Sequence, residues 1–152
     1  IKKIIDAILD VRKNITIVIC GYDYLNLQET RSDEPSNPNT LLWQHLKCPS
    51  PLQLNTGLAR LESAKQLLAD RYDTVFFVNN LGLMQVHFGY PSKDIPPFQL
   101  KLPGDPNLPS PPEALNADGK DGIHLSKTGY QILNQHCVET IYSELLNPSD
   151  NN

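Results

Sequence analysis

Ile4, Ile5, Ile8, Leu9 and Val11 return at helical spacing, while Lys3, Asp6, Asp10 and Lys13 fill the opposite side. This pattern predicts an amphipathic helix that starts close to residue 1 and ends near Asn14. Residues 15–20 read ITIVIC, a dense β-branched run closed by Gly21, which predicts a strand covered on both faces. Residues 26–53 carry little regular pattern: 33–39 is turn material, and 41–46 predicts a brief helix folding back over the core. Leu58, Leu61, Ala64, Leu67 and Leu68 then form the apolar stripe of a second amphipathic helix running to Tyr72, with Asn55 or Thr56 as its cap. Residues 74–78 (TVFFV) predict a second apolar strand, stopping at Asn79-Asn80.

Residues 81–120 contain Pro91, Pro96, Pro97, Pro103, Pro106, Pro109, Pro111 and Pro112, a density that forbids a long helix or a central strand. A loop of that length in a compact domain implies that it has a job. Leu83, Met84, Val86, Phe88 and Tyr90 predict that its first part packs on the core. A last helix follows, with Thr128, Tyr130, Ile132, Leu133, Cys137, Ile141 and Leu145 sharing a face and Pro148 ending it. Helices alternating with strands predict an α/β domain over 1–148, with a short tail at 149–152 and parallel strand pairing. Two central-type strands make a poor sheet alone, so their neighbours are expected from residues preceding Ile1 or from another chain.

Composition narrows the classes. A net charge of −4 argues against a broad basic surface, so no nucleic-acid partner is expected. No apolar run is long enough for a membrane span. The opening residues lack both an initiating Met and a signal-peptide pattern, so the chain reads as a processed product or a piece of a longer one. Its compartment stays open, with secretion or a periplasmic location among the options for a soluble chain. Asn14-Ile15-Thr16 is a formal glycosylation sequon, poorly placed beside a buried strand. Cys20, Cys48 and Cys137 are too few and too scattered for a disulfide scaffold; Cys20 and Cys137 read as small hydrophobes, and the state of all three is open. With His45, His87 and His136 they show no short ligand spacing, so no metal and no cofactor is expected.

The candidate chemistry lies in the segment from Asp118 to Tyr130, DGKDGIHLSKTGY. An Asp three residues ahead of a His on a turn can aim both side chains into one cleft. An imidazole that takes a proton from a hydroxyl needs its other nitrogen held, and a carboxylate does this. Gly119 and Gly122 allow a tight turn, Ser126 or Thr128 can cap the helix, and Asp118 reads as a turn residue. Ligands of open α/β sheets sit beyond strand ends, which makes Tyr22, Asp23, Tyr24, Asn79 and Asn80 candidate substrate contacts. Phe88-Gly89-Tyr90 is either a substrate wall or an anchor for the proline-rich loop.

Asp121-Gly-Ile-His124-Leu-Ser126 followed by Gly129-Tyr130 resembles the last block of the SGNH/GDSL hydrolases, an Asp-x-x-His just before the C-terminal helix. The resemblance covers nearly the whole chain, with strand 15–20 similar to the fourth and 74–78 to the fifth strand of that family's flavodoxin-like three-layer parallel sheet. It implies that Asp121 orients His124, which activates a serine near the N-terminus of the domain. The chain departs from the family in lacking the Gly-Asp-Ser block and the Gly-x-Asn-Asp block; Gly21-Tyr22-Asp23 has no Asn and follows the wrong strand. None of its serines falls on a strand-to-helix elbow. The implied function is ester hydrolysis as an esterase, lipase-like enzyme or carbohydrate deacetylase, on a small ester or acylated saccharide. The serine and oxyanion donors would come from the missing N-terminal half of the domain, in cis or as a partner chain, and this chain alone would be inactive. Two other classes remain: a non-catalytic binding or assembly domain on a degenerate form of the fold, and a nucleotide-binding module. The latter is weak without a Gly-rich phosphate loop.

Overall fold

The computed structural model describes residues 1–30, 34–116 and 121–146. Asp118, Gly119, Lys120, Pro148 and the tail 149–152 lie outside the described residues. Helix α1 (Lys2–Val11) leads into strand β1 (Ile17–Cys20), and the connection to the next strand carries α2 (Leu27–Thr30), α3 (Pro38–His45) and α4 (Pro51–Ala69). Strand β2 (Val75–Val78) pairs parallel with β1 in the register Ile17↔Val75 to Cys20↔Val78. After α5 (Leu83–Phe88), two single 3₁₀ turns interrupt the proline-rich stretch. A short β3 (Leu115–Asn116) then pairs antiparallel with β4 (Asp121–Leu125). Helix α6 (Lys127–Cys137) passes through a π-helical turn (Val138–Tyr142) into α7 (Ser143–Leu146). The described residues thus form an α/β fold with one parallel and one antiparallel strand pair.

Two apolar clusters hold it together. Ile5, Ala69 and Val75 form one, with Leu9, Ile17, Ile19, Leu68, Tyr72 and Phe77 packed around them. Leu83, Met84, Ala114, Leu115 and Leu125 form the other, against Phe88, Ile132 and Leu133. The first binds the parallel pair to α1 and α4; the second joins α5, β3, β4 and α6.

Several local expectations need correction. No residue of β1 is fully buried and Cys20 is exposed, because among the described residues β1 and β2 pair only with each other. The cap of α4 is Ser50, not Asn55 or Thr56: Ser50 Oγ accepts from the Gln53 amide, the Gln53 side chain accepts from the Ser50 amide, and Pro51 fills the first helical position. The buried side of α4 is Asn55, Glu62 and Ala69, while Leu61 and Leu67 of the expected stripe are 50% and 64% exposed. Polar anchoring turns this helix: Asn55 Nδ2 donates to the carbonyls of Pro106 (2.9 Å) and Leu108 (2.7 Å).

The proline-rich stretch is ordered by side-chain amides. Gln85 Nε2 donates to the carbonyls of Leu108 (2.7 Å), Asp105 (3.1 Å) and Pro109 (3.2 Å), and its Oε1 accepts from the Asp105 amide (2.8 Å). A segment that proline bars from regular pairing still needs partners for its carbonyls, and buried Asn and Gln supply them. Among the described residues no helix is long and apolar enough to cross a membrane.

Candidate active site

Asp121 and His124 lie on a strand, not on the expected turn. Gly122 is needed for close approach rather than for left-handed backbone. A Cβ there would strike the Asn26 carbonyl and the Thr30 hydroxyl, so α2 and β4 touch only because position 122 has no side chain. The Asn26 amide donates to the Gly122 carbonyl at 2.9 Å, and Asn26 Nδ2 donates to the Ser110 carbonyl at 2.7 Å. Gly129 serves the start of α6 in the same way: a Cβ would lie 2.7 Å from the Ala114 carbonyl oxygen. Ser126 caps α6, its Oγ accepting from the Gly129 amide at 3.1 Å.

On this platform the Asp121 carboxylate is used on both oxygens. Oδ1 accepts from the amides of Ile123 and His124, each at 3.0 Å, and Oδ2 lies 2.6 Å from His124 Nδ1. Burial works to raise the Asp121 carboxyl, but the bonds from the His124 amide and ring and from the Ile123 amide outweigh it and hold it below the usual carboxylate range. An ionised carboxylate only accepts, which places the ring proton on Nδ1 and leaves the Nε2 lone pair of the neutral ring free. The His124 side chain is 62% exposed, and no hydrogen bond to its Nε2 is found among the described residues.

The candidate substrate contacts separate into two groups. Tyr22 lies at the pair: its hydroxyl donates to the Ile123 carbonyl, and burial, reinforced by Tyr130 and Asp121, pushes the phenol up to about 12. Asn79 is exposed; its Oδ1 accepts from the Leu81 amide at 3.1 Å, and its carbonyl meets His136 Nε2 at 3.3 Å. Asp23, Tyr24, Asn80 and Tyr90 are buried. Asp23 receives the amides of Tyr24 (2.7 Å), Gly82 (2.6 Å) and Met84 (2.7 Å), which anchors the first turn of α5; burial nevertheless pushes its carboxyl up to about 6. Asn80 Nδ2 donates to the Gly21 carbonyl at 2.8 Å, and the Tyr90 hydroxyl donates to Glu29 Oε2 at 2.6 Å. Tyr90 therefore anchors the proline-rich stretch, and Phe88 packs on the second core beside it.

Sequence reasoning passed over Asn26, which fixes Gly122 and the strand bearing the pair. Its only sequence signal was an Asn three residues before Glu29, whose amide its Oδ1 accepts at 3.0 Å as a helix cap does. Among the described residues no hydroxyl or thiol is hydrogen-bonded to His124 Nε2. Ser50 and Ser126 are caps, Ser63 and Ser143 bond their own helix backbones, and Ser110 is fully buried. Among the described residues, too, no three His, Cys, Asp or Glu side chains are grouped to hold a metal ion. Compared with protein-family models, with curated proteins and with solved structures, the chain finds no match.

Proposed function

We propose that this chain supplies the acid–base pair of a serine-type ester hydrolase of the SGNH/GDSL kind. The nucleophile and oxyanion donors then come from a preceding segment of the same domain or from a partner chain. One observation carries the reading: a carboxylate fixed by two backbone amides holds His124 Nδ1 at 2.6 Å and leaves Nε2 without a hydrogen bond among the described residues. In this reading a serine hydroxyl attacks the carbonyl carbon of a small ester or acylated saccharide while His124 Nε2 takes its proton. His124 then returns the proton to the leaving alcohol, and a water repeats the sequence to free the acid. Asp121 keeps the ring in the productive tautomer and Tyr22 borders the substrate, whereas Asn79 lies against His136 at the other end of α6.

The finer fold assignment, β1 and β2 as neighbouring strands of a flavodoxin-like three-layer sheet, belongs to the same proposal. Its support is the parallel pairing and the unused apolar surface. Ile4 (64% exposed), Ile8 (37%) and Val11 (89%) on α1, with Leu61 and Leu67 on α4, are what further strands and helices would cover.

Hydrolysis of a short-chain chromogenic ester by the protein in its full-length form, or by this chain with the serine-bearing segment added, tests the reading. His124→Ala is expected to remove turnover. Asp121→Asn is expected to lower kcat by orders of magnitude, about 10⁴ in a well-studied protease triad. A serine-directed phosphonylating reagent should block both activity and its own further incorporation. Turnover unchanged in His124→Ala would overturn the proposal. The absence of any esterase activity or phosphonylation would favour a binding domain, the second reading, which rests on the lack of a hydroxyl at Nε2 among the described residues.

A further inference from the structure

β1 and α6 end against each other through their last residues. Cys20, exposed, and Cys137, 2% exposed, bring their sulfurs to 3.6 Å across a separation of 117 residues. Both are free thiols, as is the exposed Cys48 between α3 and α4. The contact is not a chance meeting of flexible tips. Cys20 is fixed by its register with Val78, and Cys137 sits where α6 gives way to the π-helical turn, a kind of irregularity often found at functional positions. A disulfide needs the sulfurs at about 2.05 Å, so closure takes a movement of about 1.5 Å, within reach of a side-chain rotation.

We propose that Cys20 and Cys137 are a dithiol pair that closes to an intrachain disulfide when the protein meets a low-molecular-weight disulfide such as oxidised glutathione. Cys20, open to solvent, attacks first. Its thiolate displaces one glutathione, which leaves carrying the proton Cys20 gave up, and a mixed disulfide remains on Cys20. The Cys137 sulfur then attacks Cys20 Sγ, loses its own proton, and releases the second glutathione as a thiol. Two protein thiols are oxidised and one glutathione disulfide is reduced. Burial, with the Cys20 thiol beside it, pushes the Cys137 thiol up, which leaves the first attack to the exposed Cys20. The product staples the exit of β1 to the far end of the helix that begins just after His124.

The test is oxidation of the folded chain by oxidised glutathione, an acid quench, alkylation in urea, and mass mapping. The expected result is one cross-linked peptide joining Cys20 to Cys137, lighter by two hydrogens than the reduced pair, with Cys48 alkylated or carrying glutathione. Its thermal midpoint should lie above that of the reduced chain. Cys137→Ser should stop at the glutathione adduct on Cys20, and Cys48→Ser should form the cross-link as the natural sequence does. Oxidation in urea supplies the control. Loop closure there favours the much shorter span from Cys20 to Cys48, so selection of Cys137 reports the native contact. A native product that cross-links Cys48, or a chain whose three cysteines all remain alkylated or glutathionylated at equilibrium, would overturn the proposal.

Discussion

An alanine at position 122 would press its methyl group into the Asn26 carbonyl and the Thr30 side chain, both buried beneath β4. Neither neighbour has room to retreat: Asn26 is held by the Ser110 carbonyl, and the Thr30 hydroxyl accepts from Asn39 Nδ2 at 2.9 Å. Gly122→Ala is therefore expected to destabilise the fold by about 1–3 kcal/mol in urea titration. A loss below about 0.5 kcal/mol, the range of ordinary surface substitutions, would mean that α2 and β4 are not in tight contact. The same residue shows what chemistry-first reading of a motif misses. In Asp121-Gly-Ile-His124 the Asp and His declare themselves by their chemistry. The glycine reads as a turn-former, because the approach of α2 is a tertiary event with no local signal.

At the scale of elements, polar side chains decide more than the apolar pattern does. Leu108 offers one carbonyl oxygen to two helices, accepting from Asn55 of α4 and from Gln85 of α5, both at 2.7 Å. Replacing either donor by Ala is expected to cost about 1–3 kcal/mol, since buried carbonyls lose partners. The double substitution is expected to cost more than the two together, because only then does the Leu108 oxygen lose both donors. Chemical denaturation of the four chains of this cycle measures the coupling, and strict additivity would show that the shared oxygen couples nothing. The β-branched runs announced β1 and β2, and helix–strand alternation announced their parallel pairing. The orientation of α4 was not legible, because Asn55 and Glu62 occupy the inward positions that an apolar stripe assigns to leucines. Ser50-Pro51 signals a helix start by its own chemistry, but it lies at the end of a stretch that carries little regular pattern.

On the scale of the whole molecule the described residues hold two apolar clusters, and the strand that bears Asp121 and His124 gives Leu125 to the second. The first, around the parallel pair, carries the exposed face of α1. Between the clusters run the Leu108 carbonyl shared by α4 and α5, the contact of Cys20 with Cys137, and the segment leaving β1, where Asp23 is 1% exposed and grips the Gly82 and Met84 amides. Those two amides have no route to solvent while the carboxylate stays in place. Hydrogen exchange reads the joint: both should show one common protection factor, higher than that of the exposed amides around them, and Asp23→Ala should lower the two together. Unequal protection would mean that the joint opens without this carboxylate letting go. A side chain first noticed for its nearness to a strand end would then set how much of the time the platform beneath His124 stays aligned with the sheet.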